Sequence, residues 1–170
     1  MSVSIGKALL ERSAVSAKIQ DILTRITNNA TTIVDKESKP VMSAEDPNEL
    51  FKELGILERR HEHISNVIVN ANYTTIIRYE DKDYKLIEII ERIDSCNKRI
   101  KRIKDLITSI ESATITKTSK RGYSYIENID KIVTVMDVAN LRKMTEKFSN
   151  DKNKMQVILQ EANWSTHITI

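Results

Sequence analysis

The sequence encodes a mainly α-helical protein: four long amphipathic helices in an antiparallel coiled-coil or four-helix-bundle arrangement, with one or two small β-hairpin or extended inserts. Two observations carry this expectation. Apolar residues recur in alternating steps of three and four along four separate stretches, the period of a helix that buries one stripe. Only 3 glycines and 2 prolines occur in 170 residues, so few positions interrupt a helix. The chain reads as a single elongated helical domain over residues 1–170, with helices at about 4–30, 46–73, 84–112 and 137–163. Extended inserts are expected at about 74–83 and 114–136.

The first helix shows Ile5, Leu9, Arg12, Ser16, Ile19, Leu23, Ile26 and Ala30 as its seam, widened by Ala8, Val15 and Ile22. At a rise of about 1.5 Å per residue it would reach roughly 40 Å. Residues 31–44 are polar, carry Pro40 and lose the period, which reads as a connector. The second helix opens sharply. Asp46 can cap free amides, Pro47 suits the first helical position and Glu49 stands where a capping box places its acid. Its seam is Leu50, Leu54, Leu57, His61, Ile64, Ile68 and Ala71.

The β-branched and aromatic run Thr74–Tyr79 predicts a strand, and Glu80–Asp83 a turn, with Asp83 as cap of the third helix. That helix has the cleanest seam: Leu86, Ile89, Ile93, Cys96, Ile100, Ile103, Ile107 and Ile110. From Ala113 to Met136 the period fails. Thr114–Thr116 and Ile132–Val135 alternate as strands do, around an Arg121–Gly122 turn signal. Asp137 then caps a fourth helix with seam Val138, Leu141, Thr145, Phe148, Lys152, Met155, Leu159 and Ala162.

Composition excludes several classes of function. A formal net charge of +3, with acids and bases interspersed, is a solvated surface and falls short of a nucleic-acid footprint. A single cysteine, Cys96, rules out an internal disulfide framework and suits a reducing compartment. Residues 1–10 lack the basic start and apolar core of a secretory signal, and no run of about 18 apolar residues exists. The expected location is cytoplasmic.

Several segments together resemble a family of small bacterial helical proteins, some of whose members carry the label septicolysin. The most specific are Glu45-Asp46-Pro47-Asn48-Glu49-Leu50 and Gln160-Glu161-Ala162-Asn163-Trp164. Lys7-Ala8-Leu9, Asn29-Ala30, Asn72 with Thr75, Arg92 with Asp94, Tyr123-Ser124, and Val138-Ala139 with Leu141 extend the likeness along the chain. Two places depart from the family pattern: Val69 stands where Asn is frequent, and Glu80–Asp83 lacks the usual turn glycine. The resemblance implies a helical, self-associating protein and brings no established activity.

Each candidate site also has a plainer structural reading. Glu58 and His61 have the spacing with which di-iron bundles place a carboxylate and an imidazole on one helix face. Such a centre needs further inward carboxylates, so His61 is better read as a polar seam residue that sets register. No metal and no cofactor are therefore expected. Cys96, on its seam, reads as a small buried hydrophobe. Lys98, Arg99, Lys101, Arg102 and Lys104 form a possible anion-binding face, without the interleaved aromatics that nucleic-acid sites use. Arg12 and Lys152 interrupt seams as register residues, Trp164 is a structural or subunit anchor, and Arg121, Tyr123 and Tyr125 are a possible recognition surface.

No phosphate loop, zinc spacing or nucleophilic triad is present in the sequence. The expectation is a non-enzymatic, self-associating helical scaffold, a dimer or higher homo-oligomer with no small-molecule substrate. The alternative is a binder of an anionic surface, nucleic acid or membrane, through the basic face of the third helix. Less favoured is a metal-dependent enzyme at Glu58 and His61.

Overall fold

The computed structural model describes residues 2–30, 45–120 and 136–170, with residues 114–120 described by backbone alone. In chain order the elements are β1 (Ser2–Ser4), α1 (Ile5–Asn29), α2 (Pro47–Thr74), β2 (Ile76–Tyr79), β3 (Lys82–Lys85), α3 (Leu86–Lys120), α4 (Val138–Ser165) and β4 (His167–Thr169). The protein is mainly α, with four helices and two small two-stranded sheets among the described residues. It divides into two compact units, Met1–Ile77 with Gln160–Ile170, and Arg78–Leu159.

In the first unit α1 and α2 run antiparallel. Glu11 accepts from Arg60 near one end, and Glu45 accepts from Arg25 near the other. The guanidinium of Arg25 holds the Glu45 carboxyl below its ordinary range. Between these pairs lie two apolar clusters. Ala8, Val15, Ile64 and Ile68 form one; Ile22, Leu50 and Leu54 form the other, and half-buried Ile19 and Leu57 pack against both. Each fully buried aliphatic side chain contributes roughly 1.5–3 kcal/mol of transfer free energy, so these clusters dominate the stabilisation of the pair.

The seam expected on α2 matches the burial: Leu50, Leu54, Ile64, Ile68 and Ala71 are buried, with Leu57 and His61 half-buried. On α1 the line is displaced. The buried residues are Ile5, Gly6, Ala8, Val15 and Ile22, whereas Leu9 is half-buried and Leu23 is 39% exposed. Two parallel apolar lines run along α1, and α2 takes the one through Ala8, Val15 and Ile22.

The chain termini close this unit. β1 and β4 pair antiparallel in the register Ser2↔Thr169, Val3↔Ile168 and Ser4↔His167, which brings Val3 and Ile168 against the Ala8–Ile68 cluster. Ser4 has two roles. Its backbone belongs to the strand pair, and its hydroxyl oxygen accepts from Lys7 N–H at 3.2 Å, capping α1. At the end of α4 the Trp164 ring lies on Gly6, where a Cβ would come within 2.9 Å of ring atom Cδ2. Glycine is required there by that close approach.

In the second unit α3 and α4 are antiparallel. Arg142 donates to Glu111 at 2.8 Å, and the Arg99 guanidinium lies 5.5 Å from the Phe148 ring centroid. On α3 Leu86, Ile89 and Ile93 are buried, and Cys96, Ile100, Ile103, Ile107 and Ile110 continue the line half-buried. On α4 Met155 is buried and Val138, Leu141, Thr145, Phe148, Lys152 and Leu159 are half-buried, as the spacing predicts. Asp137 caps α4 by accepting from Asn140 N–H at 3.0 Å, and Asp46 caps α2 by accepting from Asn48 N–H at 2.9 Å.

Two sequence expectations are corrected. Asp83 does not cap the third helix: it lies in β3, and Glu88 reaches back to accept from Lys85 N–H at 2.7 Å. The two-residue turn at Glu80 and Asp81 closes the hairpin early, with φ of 49° and 62°, the left-handed pair of a type I′ turn built here without glycine. Further on, residues 114–120 are helical and not extended, because α3 continues to Lys120. Each added residue gains a backbone bond once a helix is nucleated, and β-branched residues oppose this only by up to about 0.7 kcal/mol each. The expected connector at 31–44, the Ile132–Val135 strand and the Arg121–Gly122 turn lie outside the described residues.

Two outcomes follow from this packing. Ile64→Ala deletes a side chain that is 0% exposed and lowers stability by about 2–5 kcal/mol in denaturant titrations. Gly6→Ala displaces the Trp164 ring, so the emission of this single tryptophan shifts to the red and the melting temperature falls.

Candidate functional site

A concave site lies in the second unit. α3 contributes Arg92, Ser95, Cys96 and Arg99, whose spacing of three, four and seven places them on one helix face. α4 contributes Lys147, Phe148, Asp151 and Met155, and the hairpin corner contributes Tyr79 and Glu80. Together they enclose a cleft of about 640 Å³.

Aromatic rings organise its basic groups. The Arg92 guanidinium carbon lies 4.3 Å from the Tyr84 ring centroid, and that ring meets Tyr79 at a centroid distance of 6.4 Å. Arg99 lies over Phe148. A guanidinium on an aromatic face keeps its N–H edge available to an acceptor, which a carboxylate pair would occupy. Tyr79 is buried, and that burial, with its hydrogen bond to Glu80, raises its phenol above the ordinary value of 10.0. The nearby negative charge of Asp151 adds to this, and Arg92 opposes it.

Cys96 is a free thiol, half-buried, where the sequence led us to expect full burial. It stands between Arg92 and Arg99 on the wall of the cleft. The sequence signal for the site was therefore present as Arg92-x-x-Ser95-Cys96-x-x-Arg99, hidden because Cys96 also continues the apolar line. The contributions of Tyr79, Lys147 and Asp151 carry no local signal, since only the pairing of α3 with the hairpin and α4 brings them there.

The sequence candidates are dispersed. Glu58 and His61 lie with Ser16, Ile19 and Gln20 along a groove between α1 and α2. Among the described residues no three His, Cys, Asp or Glu side chains cluster as metal ligands. Lys98, Arg99, Lys101, Arg102 and Lys104 are all exposed; Lys98 pairs with Asp94 at 2.6 Å, Arg99 lies over Phe148, and Lys104 lies beside Arg142. Arg12 and Lys152 are half-buried beside their seams, and Trp164, 54% exposed, rests on Gly6. Arg121, Tyr123 and Tyr125 lie outside the described residues. Among the described residues no helix is long and apolar enough to cross a membrane.

Residues 12–168 match a family of unknown function, DUF6847. The chain belongs to that family. A crystal structure of a functionally unknown conserved protein from Corynebacterium diphtheriae has the same fold, with a TM-score of 0.78 at 21% identity. The match covers 99% of this chain and 100% of that one. No curated protein matches the sequence. The family match and the shared fold together assign the architecture, and neither carries an activity.

The raised phenol of Tyr79 sets a pH dependence. Below the ordinary tyrosine range both folded and unfolded chains are neutral at this group, and its contribution is constant. As pH rises through that range the unfolded chain ionises first, so stability falls until the folded phenol also titrates. Tyr79→Phe removes this part of the alkaline loss. Ultraviolet titration of the wild-type chain shows one of the 5 tyrosines ionising late, and that component is missing from the variant.

Proposed function

We propose that the chain is a non-enzymatic helical scaffold that associates with copies of itself. The observation that carries this reading is the apolar edge beside the Ile22–Leu50–Leu54 cluster. Leu23 follows Ile22 and is 39% exposed; Phe51 follows Leu50 and is 67% exposed. On α1, Leu9 packs against the Ala8–Ile68 cluster while Leu23, two turns beyond Ser16 on the neighbouring line, is left exposed. A wide stripe with one partner helix is the pattern of a helix that packs on more than one neighbour. The resemblance to septicolysin-labelled proteins belongs to the same proposal, since it too implies self-association.

Half-buried polar residues fit this role. Arg12 and His61 on the α1–α2 pair and Lys152 on α4 cost packing and specify which register the helices adopt. The exposed part of Trp164 offers an aromatic anchor to a neighbouring copy.

Light scattering on the purified chain at micromolar concentration tests the proposal. The expected mass exceeds one chain, and Leu23→Glu with Phe51→Glu shifts it toward one chain while helicity is retained. Arg12→Leu changes the distribution of oligomers. A clean monomer across the concentration range would sink the reading.

A further inference from the structure

We propose that the cleft of the second unit binds a small organic anion, a compact aromatic or aliphatic body carrying a phosphate or carboxylate group. Three properties of the cleft point to that chemistry and are independent of how copies of the chain associate.

The first is charge. Arg92, Arg99 and Lys147 line the cleft together with Glu80 and Asp151. Among the described residues none of the three cations forms an ion pair, although neighbours on the same helices do: Lys98 with Asp94, and Arg142 with Glu111. Three cations against two carboxylates leave the cleft with an excess of positive charge, and an anion offsets that excess.

The second is geometry. Arg92 and Arg99 sit two helical turns apart on one face of α3, with the Ser95 hydroxyl and the Cys96 thiol between them. Each guanidinium lies over an aromatic ring, Arg92 over Tyr84 and Arg99 over Phe148. A planar fork held in this way presents paired N–H groups to the oxygens of a carboxylate or phosphate.

The third is the apolar remainder. Phe148, Met155 and the ring of Tyr79 contribute wall to the same cleft. A volume of about 640 Å³ lies within the range of roughly 300–1,000 Å³ that small-molecule sites occupy, and exceeds the need of a bare inorganic ion. A ligand with both an anionic head and an apolar body uses the whole lining.

Calorimetric titration of the full chain with phenyl phosphate, phenylacetate and inorganic phosphate tests the assignment. Saturable one-to-one binding of phenyl phosphate or phenylacetate is expected, and whichever binds more tightly identifies the head group. Arg99→Gln weakens it by about tenfold or more, the loss of one charge-assisted hydrogen-bonded contact. Lys147→Gln, which alters an exposed amine, does the same in direction with an unchanged melting temperature. Arg102→Gln, on the same helix and outside the cleft, leaves binding unchanged. Absence of saturable binding by both organic anions overturns the proposal. Equal weakening by Arg102→Gln also overturns it, because the attraction would then belong to the general field of α3. Inorganic phosphate binding as tightly as phenyl phosphate overturns the apolar half of the assignment.

Discussion

Every element of this protein answers to one constraint: an amphipathic helix cannot leave its apolar stripe in water. In α1 and α2 the stripe is buried by an antiparallel partner, and the clusters around Ile64 and Ile22 are the result. Ion pairs at the two ends, Glu11–Arg60 and Arg25–Glu45, agree with the alignment without supplying much of the energy. Exposed pairs of this kind are screened by solvent; the aliphatic contacts are not.

The same constraint explains the small β elements. Two three-residue strands would not persist alone, yet β1 and β4 are joined to the ends of α1 and α4 and are held where those helices place them. Val3 and Ile168 then extend the core of the helix pair. The Gly6–Trp164 contact fixes the distance between the two helix ends, and Ile5 N–H donates to Thr166 carbonyl oxygen at 3.0 Å across the same junction. The β2–β3 hairpin puts Tyr79 and Tyr84 beside Arg92; Tyr79 and Arg92 line the cleft, and Tyr84 lies against Arg92. A structural corner and a binding surface are therefore built from the same side chains.

The cleft and the apolar edge mark two different kinds of surface. Leu23 and Phe51 are apolar and lie beside a core cluster, as contacts between chains require. Arg92, Arg99 and Lys147 outnumber Glu80 and Asp151 in a concavity walled in part by Tyr79 and Phe148. A scaffold that assembles through one and holds a small anion in the other would couple assembly to ligand only if the two surfaces share a moving element. Their placement in separate units makes independent measurement of each straightforward.

Helix existence, the seams of α2, α3 and α4, and the Asp46 and Asp137 caps were legible in the amino-acid order, because periodicity and capping are local properties that act within a few residues. The seam of α1 was legible only as a pair of lines, since the choice between Ala8–Val15–Ile22 and Leu9–Ser16–Leu23 belongs to its partner helix. The β1–β4 pair was hidden by its length: Ser2–Ser4 and His167–Thr169 are too short to signal a strand, and they meet across nearly the whole chain. The end of α3 is hidden in the sequence because β-branched Thr114–Thr116 look extended, although a propagating helix absorbs them at small cost. The cleft belongs wholly to tertiary structure. Arg92 and Arg99 share a helix face by sequence alone, but their meeting with Tyr79, Lys147 and Phe148 depends on how distant segments pack, and packing is a property of the assembled stripes rather than of any one of them.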